Sequence, residues 1–493
     1  MSEPARAAPP ADFAPHLERA FDFLPEERSE AVAVEGELPP WLRGTLYVNG
    51  PGRFARGGLR YRHWLDGDGL VEALRFGCPE RRGGRRAEEG VRFTCRFVRS
   101  GKWTAEEEAG RPLFRAFGTA FPGDRLLRGI ALESPVNVSV LPFAGALLAF
   151  GEQGLPWDLD PETLETRGPY TFGGALGPIT PFSAHPKLDP ATGELWSFGV
   201  SFASDRPALN VYRFTAEGRA VARKRLPLPY PCSLHDFALA PRHAVFYLSP
   251  YLLDMAALAG GAALLDALSW KPELGSRLLV VARDTLEPVC ELPLGGRYCL
   301  HTANAFEDAA GRLVVDLLEL ERPVYDQYEP VPDLFQEVAA GWPVRLVVDP
   351  AAGALVERRQ LPYGRAPDFP AIDVRLSECP CDDLWLLGIG ATGAPGRKFF
   401  DQLVRLDWRR PEAQDVWQAP PGQYLASEPV VVLAPDGGGG VAICHLFDAA
   451  PRSSAWLVFD AFDLAAGPRA VLPLAAPVTP GFHALFAADG SAP

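Results

Sequence analysis

DPATGELWSFGV, residues 189–200, reads as a tight turn that runs straight into a strand. Asp-Pro opens the turn, since proline holds φ at about −65° and an aspartate side chain can take the next free amides. Gly193 follows three residues after the proline, and the Leu, Trp, Phe and Val beyond it suit a pleated, half-buried surface. DPAAGAL (349–355) is a near copy. Outward from these, similar short strands recur at TLYVNG (45–50), GALLAFG (145–151), HAVFYLS (243–249), RLLVVAR (277–283), RLVVDLLEL (312–320), VRLVVD (344–349), DLWLLGI (383–389) and AWLVFDAF (455–462). APDGGGG (434–440) marks a further hairpin loop. Many short strands, regular turns and few long helices imply a closed all-β architecture. The recurring strand–turn–strand unit favours radial repetition over a sandwich. There is no strict 40–50-residue period and no WD or kelch signature, so pattern alone makes a propeller the leading option and no more. Helical insertions are expected near 11–30, 103–110 and 251–270. No Ser/Gly linker divides the chain, so residues 1–493 read as one domain, with 1–30 a flexible or helical N-terminal extension.

The chain has 493 residues, 47% of them hydrophobic, enough for a large core. Its 48 glycines and 50 prolines suit a fold rich in tight turns. The net charge of −14, with no Lys/Arg run, disfavours nucleic acid as a partner. Arg81, Arg82, Arg85 and Arg86 sit among Gly and Glu and read as a solvated loop. Among eight cysteines the one close pair is Cys379–Cys381, without a second pair to complete a zinc site, so the cysteines read as reduced and the protein as cytoplasmic. The N-terminal stretch has no apolar core of a signal peptide, and no run of 18 apolar residues spans a membrane. YLLDMAALAGGAALLDALSW (251–270) is long and apolar, and reads as two short amphipathic helices joined at Gly260–Gly261. Either it packs on the body or its apolar face dips into a bilayer leaflet as a peripheral membrane contact.

Four of the eight histidines lie at or beside strand ends: His185 (SAHPKLDP), His235 (SLHDFAL), His301 (CLHTANAFED) and His483 (GFHALF). No local motif such as H-E-x-x-H joins them, so only a fold that gathers separate strands brings them together. A propeller does this at its axis. Neutral imidazole suits Fe, Cu, Zn and Ni, and carboxylates taking the free ring N–H offset the ion's charge. Taken singly, each such histidine reads as an ordinary core or surface residue. His16, His63, His243 and His445 read as structural.

Beyond composition, the sequence resembles the carotenoid cleavage oxygenases, a family that also holds stilbene- and phenylpropenoid-cleaving enzymes and a retinoid isomerase. The resemblance runs from about Leu38 to the C-terminus. It is carried in order by GTLYVNGPGRF (44–54), HWLDGDGLV (63–71), GEQGLPWDLDPETLET (151–166), FSAHPKLDPATGELWSFG (182–199), SLHDFAL, LHTANAFED, ASEPVVV (426–432) and GFHALF. It implies a seven-bladed β-propeller with a helical and loop cap over the iron-bearing face. It also implies Fe(2+) held by His185, His235, His301 and His483, with Glu152, Glu428 and Asp368 behind the ligands. Many relatives carry Glu where this chain has Asp368, so the expected hydrogen bond is longer or water-bridged. In ESPVNVSV (133–140), Val136 stands where relatives often carry a Thr that crowds one iron position, and is expected to block that position sterically.

The implied reaction is cleavage of a conjugated C=C bond by O2 to two carbonyl products, with a hydrophobic alkene and O2 as the partners and no protein partner. The apolar 251–270 segment points to a carotenoid or apocarotenoid. The alternative is a stilbenoid or phenylpropenoid, whose cleavers resemble one another in a Tyr and a Lys that bind the phenol. Lys102 lies in the matching region, but Phe93 stands where the Tyr is expected. A third reading is a non-catalytic propeller that only binds. Isomerase or monooxygenase chemistry on the same iron stays open, and zinc hydrolysis has no support.

Overall fold

Each of the segments read as strands is a strand, and antiparallel pairing gathers them into a seven-bladed β-propeller. The computed structural model describes residues 11–79, 89–127, 131–202 and 206–489; the arginines of 81–86 lie outside them. Blade 1 is built from 28–32, 89–97, 68–79, 44–53 and 484–488, and blade 2 from 166–169, 157–159, 146–150 and 139–143. Blades 3 to 6 follow in chain order, their inner strands being Lys187–Leu188, Ala238–Leu239, Tyr298–Glu307 and Asp368–Ala371. Blade 7 spans 423–473 and takes Glu35–Gly36 as its outermost strand. The ring closes twice: Ala484–Ala488 pairs with Gly44–Val48 in blade 1, and Glu35 lies opposite Val471 in blade 7.

The turns form as their residues dictate. Asp189 accepts from the amides of Ala191 (2.8 Å) and Thr192 (3.3 Å), and Gly193 takes φ 70°. In the near copy, Asp349 accepts from Ala352 N at 2.9 Å and Gly353 takes φ 60°. Between blades, the alternate faces of neighbouring sheets meet in dry cores. Phe198 and Val211 of blade 3 pack on Phe237, Phe246 and Val281 of blade 4. Each fully buried side chain of this kind contributes ~1.5–3 kcal/mol.

The cap is mostly loop. Its one longer helix, α1 (Gly101–Ala109), starts where Ser100 Oγ accepts Trp103 N at 3.1 Å and stops at Gly110, φ 64°. This matches the insertion expected near 103–110. Two other expectations are corrected. Of the expected 1–30 extension, residues 1–10 lie outside the described residues, and 11–30 are not loose, their helix being limited to one turn: Ala11–Asp12 pairs with Gly396–Arg397, Leu17–Ala20 is a 3-10 helix, and Arg28–Val32 is the outer strand of blade 1. Ala14, Leu17, Ala20 and Phe21 are buried in the cap core, which is what holds the segment down. The 251–270 segment holds one short helix, α2 (Met255–Ala259), and then a 3-10 turn at Leu265–Ala267. Its ends are strands instead, because Tyr251–Leu253 pairs with Leu268–Trp270, and this tertiary pairing overrides the helix preference of its alanines and leucines. No helix among the described residues is long and apolar enough to cross a membrane.

Candidate metal centre

The four histidines converge. His185, His235, His301 and His483 are buried, and their ligand atoms lie within 4.8 Å of one another. Each stands at or just before the inner strand of its blade, His185 in blade 3, His235 in blade 4, His301 in blade 5 and His483 in blade 1. Local bonds set these ends. Ser183 Oγ accepts His185 N (3.2 Å) and donates to His235 O (3.1 Å), tying two ligand loops together. Phe482 N donates to Asn49 O at 2.9 Å, and His483 N to Val138 O at 3.2 Å. The chains cross so closely there that a Cβ on Gly50 would lie 2.4 Å from Gly481 Cα, which is why glycine is needed at that step.

Three of the rings turn Nδ1 outward to a carboxylate. His235 Nδ1 is 2.9 and 2.8 Å from the two oxygens of Glu152, His301 Nδ1 is 2.5 Å from Asp368 Oδ1, and His483 Nδ1 is 3.3 Å from Glu428 Oε2. A carboxylate on Nδ1 fixes the proton there and leaves the Nε2 lone pair facing inward. His235 Nε2 then stands 2.9 Å from His185 Nε2 and 3.2 Å from His301 Nε2. Inward lone pairs repel unless a cation sits among them, so the donor set fits a metal ion of the imidazole-binding kind. Burial, with the neighbouring histidines, pulls His185 well below the ordinary imidazole range and keeps it neutral. At His301 burial pulls down, but the Asp368, Asp236 and Glu428 carboxylates together hold the imidazole above its ordinary range.

Asp368 corrects an expectation. The shorter side chain makes a direct 2.5 Å bond, neither lengthened nor water-bridged. The next residue, Phe369, adopts φ 51° at the start of this inner strand. Such a conformation costs ~1–2 kcal/mol in a residue with a Cβ. Val136 is a second correction. It is buried in the core between blades 1 and 2, against Val71, Val140 and Leu147, and does not line the metal cavity. Val138, two residues on, does line it, together with His235 and His483. Both precede the strand Ser139–Phe143, and with Val136 at φ 55° the two valines lie on different sides, Val136 in the core between blades and Val138 at the cavity.

Two cavities meet at Leu65, which lines both. The first, about 450 Å³, contains the metal site and is walled by Trp64, Leu300, Val324, Phe335, Phe400 and Phe482. The second, about 560 Å³, runs under the cap between Phe117, Leu132 and Leu264 and has a polar side formed by Lys102, Glu133, Asn137 and Glu152. His63, expected to be merely structural, lines the first cavity, its ring 4.3 Å from that of Tyr328. Burial pulls it down to about 3, so it is neutral. Phe93 lies in the apolar core between blades 1 and 7, while the tyrosine that meets Lys102 is Tyr61, whose hydroxyl is 3.2 Å from Nζ. Sequence reading missed both Val138 and Tyr61. Proximity to the histidine blocks was the available signal for Val138, and none was available for a loop tyrosine.

A seven-bladed propeller with a buried four-histidine centre on its axis defines a metal-dependent oxygenase class, and the comparisons agree. The family described as Retinal pigment epithelial membrane protein matches residues 21–488. The chain therefore belongs to that family, the carotenoid cleavage oxygenases. Apocarotenoid-15,15'-oxygenase of Synechocystis is 28% identical over 479 residues, covering 92% of this chain and 93% of the relative. Lignostilbene-alpha,beta-dioxygenase isozyme III of Sphingomonas paucimobilis is 28% identical, over 90% of this chain and 91% of its own. Resveratrol cleavage oxygenase 1 of Aspergillus fumigatus is 34% identical over 60% of this chain and 56% of its own. The crystal structure of cobalt-substituted Synechocystis apocarotenoid oxygenase superposes with a TM-score of 0.85 at 26% identity, over 97% of this chain and 100% of that one.

Proposed function

We propose that the protein cleaves a conjugated C=C bond of a carotenoid- or apocarotenoid-type polyene with O2, giving two carbonyl products, with iron(II) held by His185, His235, His301 and His483. Iron in this site would supply the binding and activation of O2 beside the alkene. Glu152, Asp368 and Glu428 orient three of the ligands and offset their charge. Trp64, Phe335, Phe400 and Phe482 provide dry walls that align an electron-rich alkene and keep water out. Val138 is the residue that narrows access to the centre. The observation that carries the reading is the apolar wall around the centre, with a second partly apolar cavity adjoining it at Leu65, which suits an elongated hydrophobic chain better than a compact polar one.

A second reading, a hydroxylated stilbene or phenylpropenoid, is favoured by the Tyr61–Lys102 pair at the second cavity. Against it, the ammonium has three protons and three acceptors already: Asp68 Oδ1 (2.6 Å), Glu106 Oε2 (3.0 Å) and Tyr61 Oη (3.2 Å). A phenol must displace one of them. Parallel turnover of an apocarotenal and a 4-hydroxystilbene by the iron-loaded protein, with products read by mass, separates the two. Cleavage of the apocarotenal alone is expected. Cleavage of the stilbene alone overturns the polyene reading.

Peripheral membrane contact through 251–270 rests on composition. Leu253 and Leu258 are turned inward, and the exposed residues are Asp254, Ala256, Ala259, Gly260, Gly261, Asp266 and Ser269. This geometry favours a packing role.

A further inference from the structure

We propose, building on the metal-centre reading, that Asp236 and Lys187 are the positioning pair for the fourth ligand: Asp236 spaces three ligand-bearing strands and Lys187 keeps its charge from His185. The starting point is an asymmetry. His235, His301 and His483 each give Nδ1 to a carboxylate at 3.3 Å or less. His185 does not, since the nearest carboxylate oxygen, Asp236 Oδ1, is 3.8 Å from its Nδ1, beyond hydrogen-bond reach.

That carboxylate is engaged elsewhere. Asp236 is 4% exposed. Its Oδ1 accepts Phe237 N (2.8 Å) and Lys187 Nζ (2.9 Å); its Oδ2 accepts Thr302 N (2.8 Å) and stands 2.7 Å from Thr302 Oγ. Each partner is a chain neighbour of a ligand. Asp236 follows His235, Thr302 follows His301, and Lys187 is two residues beyond His185. One carboxylate therefore links three ligand-bearing segments from three blades, through the amides of Phe237 and Thr302 and the side-chain ammonium of Lys187. A displacement of any one strand stretches a bond to a buried charge, which is the costliest kind to lose.

The lysine has a separate effect. Without it, Asp236 would stand as a fourth anion beside the histidines, and its Oδ1 would be free to draw the His185 N–H. With it, the pair is neutral and His185 remains an imidazole with no anionic partner. Charge and hydrogen bonding around a ligand set how strongly it donates to the metal, and so the potential of the metal. Removing the lysine should make the site more electron-rich, and removing the aspartate charge should make it less so.

The two substitutions are therefore expected to shift the potential with opposite signs, and a pair that serves only stability would lower the unfolding temperature instead. The experiment uses the full-length iron-loaded protein, with potentiometric titration of Fe(III)/Fe(II), chelator competition for iron and, on metal-free samples, thermal unfolding. Lys187→Met is expected to lower the potential with iron retention within threefold of the parent. Asp236→Asn is expected to raise it and to weaken retention about 10–100-fold, as for other groups that orient ligands. Lys187→Arg is expected to restore the parent potential. Shifts of the same sign in both variants, or no shift in Lys187→Met while the metal-free protein unfolds at a lower temperature, would overturn the proposal. A parent protein that retains no iron would sink the metal-centre reading itself, which separates the two failures.

Discussion

Two buried polar clusters stand on either side of Leu65 and are built on opposite rules. In the cap cluster, Lys102 spends its three protons on Asp68, Glu106 and Tyr61; the second oxygen of Glu106 takes the amides of Leu113 (2.9 Å) and Phe114 (3.1 Å); and Arg56 reaches Asp68 at 2.6 Å. The charges pair off within the protein. In the axial cluster, the outer nitrogens of three histidines are paired and the inner ones crowd together, with Nε2 atoms 2.9 and 3.2 Å apart. The first arrangement is complete without a ligand and fixes the wall of a cavity. The second is incomplete without one. Both are buried and polar, so burial and polarity alone do not mark a functional site; what distinguishes it is donor atoms that converge on one shared point.

The comparison is broken most easily at the axis. His301→Ala is expected to abolish both metal retention and turnover, whereas His63→Ala, which alters only the cavity wall, is expected to keep the metal. Metal analysis of the two purified variants checks this, and a fully loaded His301→Ala protein would end the four-ligand account. The cap cluster should fail differently. Lys102→Met leaves the buried Asp68 and Glu106 to share the single cation Arg56 and is expected to cost ~3–5 kcal/mol of stability, measured by denaturant unfolding. Molecules that remain folded should keep their metal. Glu152→Gln keeps the shape but removes the charge behind His235, and a fall of about 10–100-fold in metal affinity is expected by chelator competition.

The smallest effect lies away from both clusters. Glu72, buried in blade 1, is pushed up to about 8 by burial, with Arg28 only partly offsetting it. Its folded form binds the proton more tightly than the unfolded chain does. The folded state therefore loses stability as pH rises from the ordinary glutamate range toward 8. Glu72→Gln is expected to stabilise the protein by about 2 kcal/mol at pH 8 and to change little in acid, where both side chains are neutral. Thermal unfolding at the two pH values measures this, and an equal effect at both would contradict it.

Much of this was legible in the sequence. The strand–turn units gave the blades their register, and the Asp-Pro turns fold as their residues require. Convergence of the four histidines followed from ordered family blocks, because no spacing along the chain encodes a meeting at an axis. What escaped the sequence was set by backbone geometry or by partners distant in the chain. Asp368 was expected to fall short of His301, and it makes a direct bond, next to the left-handed Phe369. Val136 and Val138 should share a face in a regular strand, and with Val136 at positive φ they lie on different sides. The Ala/Leu composition of 251–270 suggested helices, but the strand pairing of its two ends limits helix to Met255–Ala259. Tyr61 meets Lys102 from 41 positions away, where no local pattern points to it.

The most direct test of the axial account is X-ray absorption at the iron edge on the purified, iron-loaded protein, together with its iron content. The account predicts one iron per chain and a coordination shell dominated by four imidazole nitrogens, recognisable by the outer-ring scattering of histidine. Fewer than three imidazoles, or a shell led by carboxylate or sulfur, would contradict it.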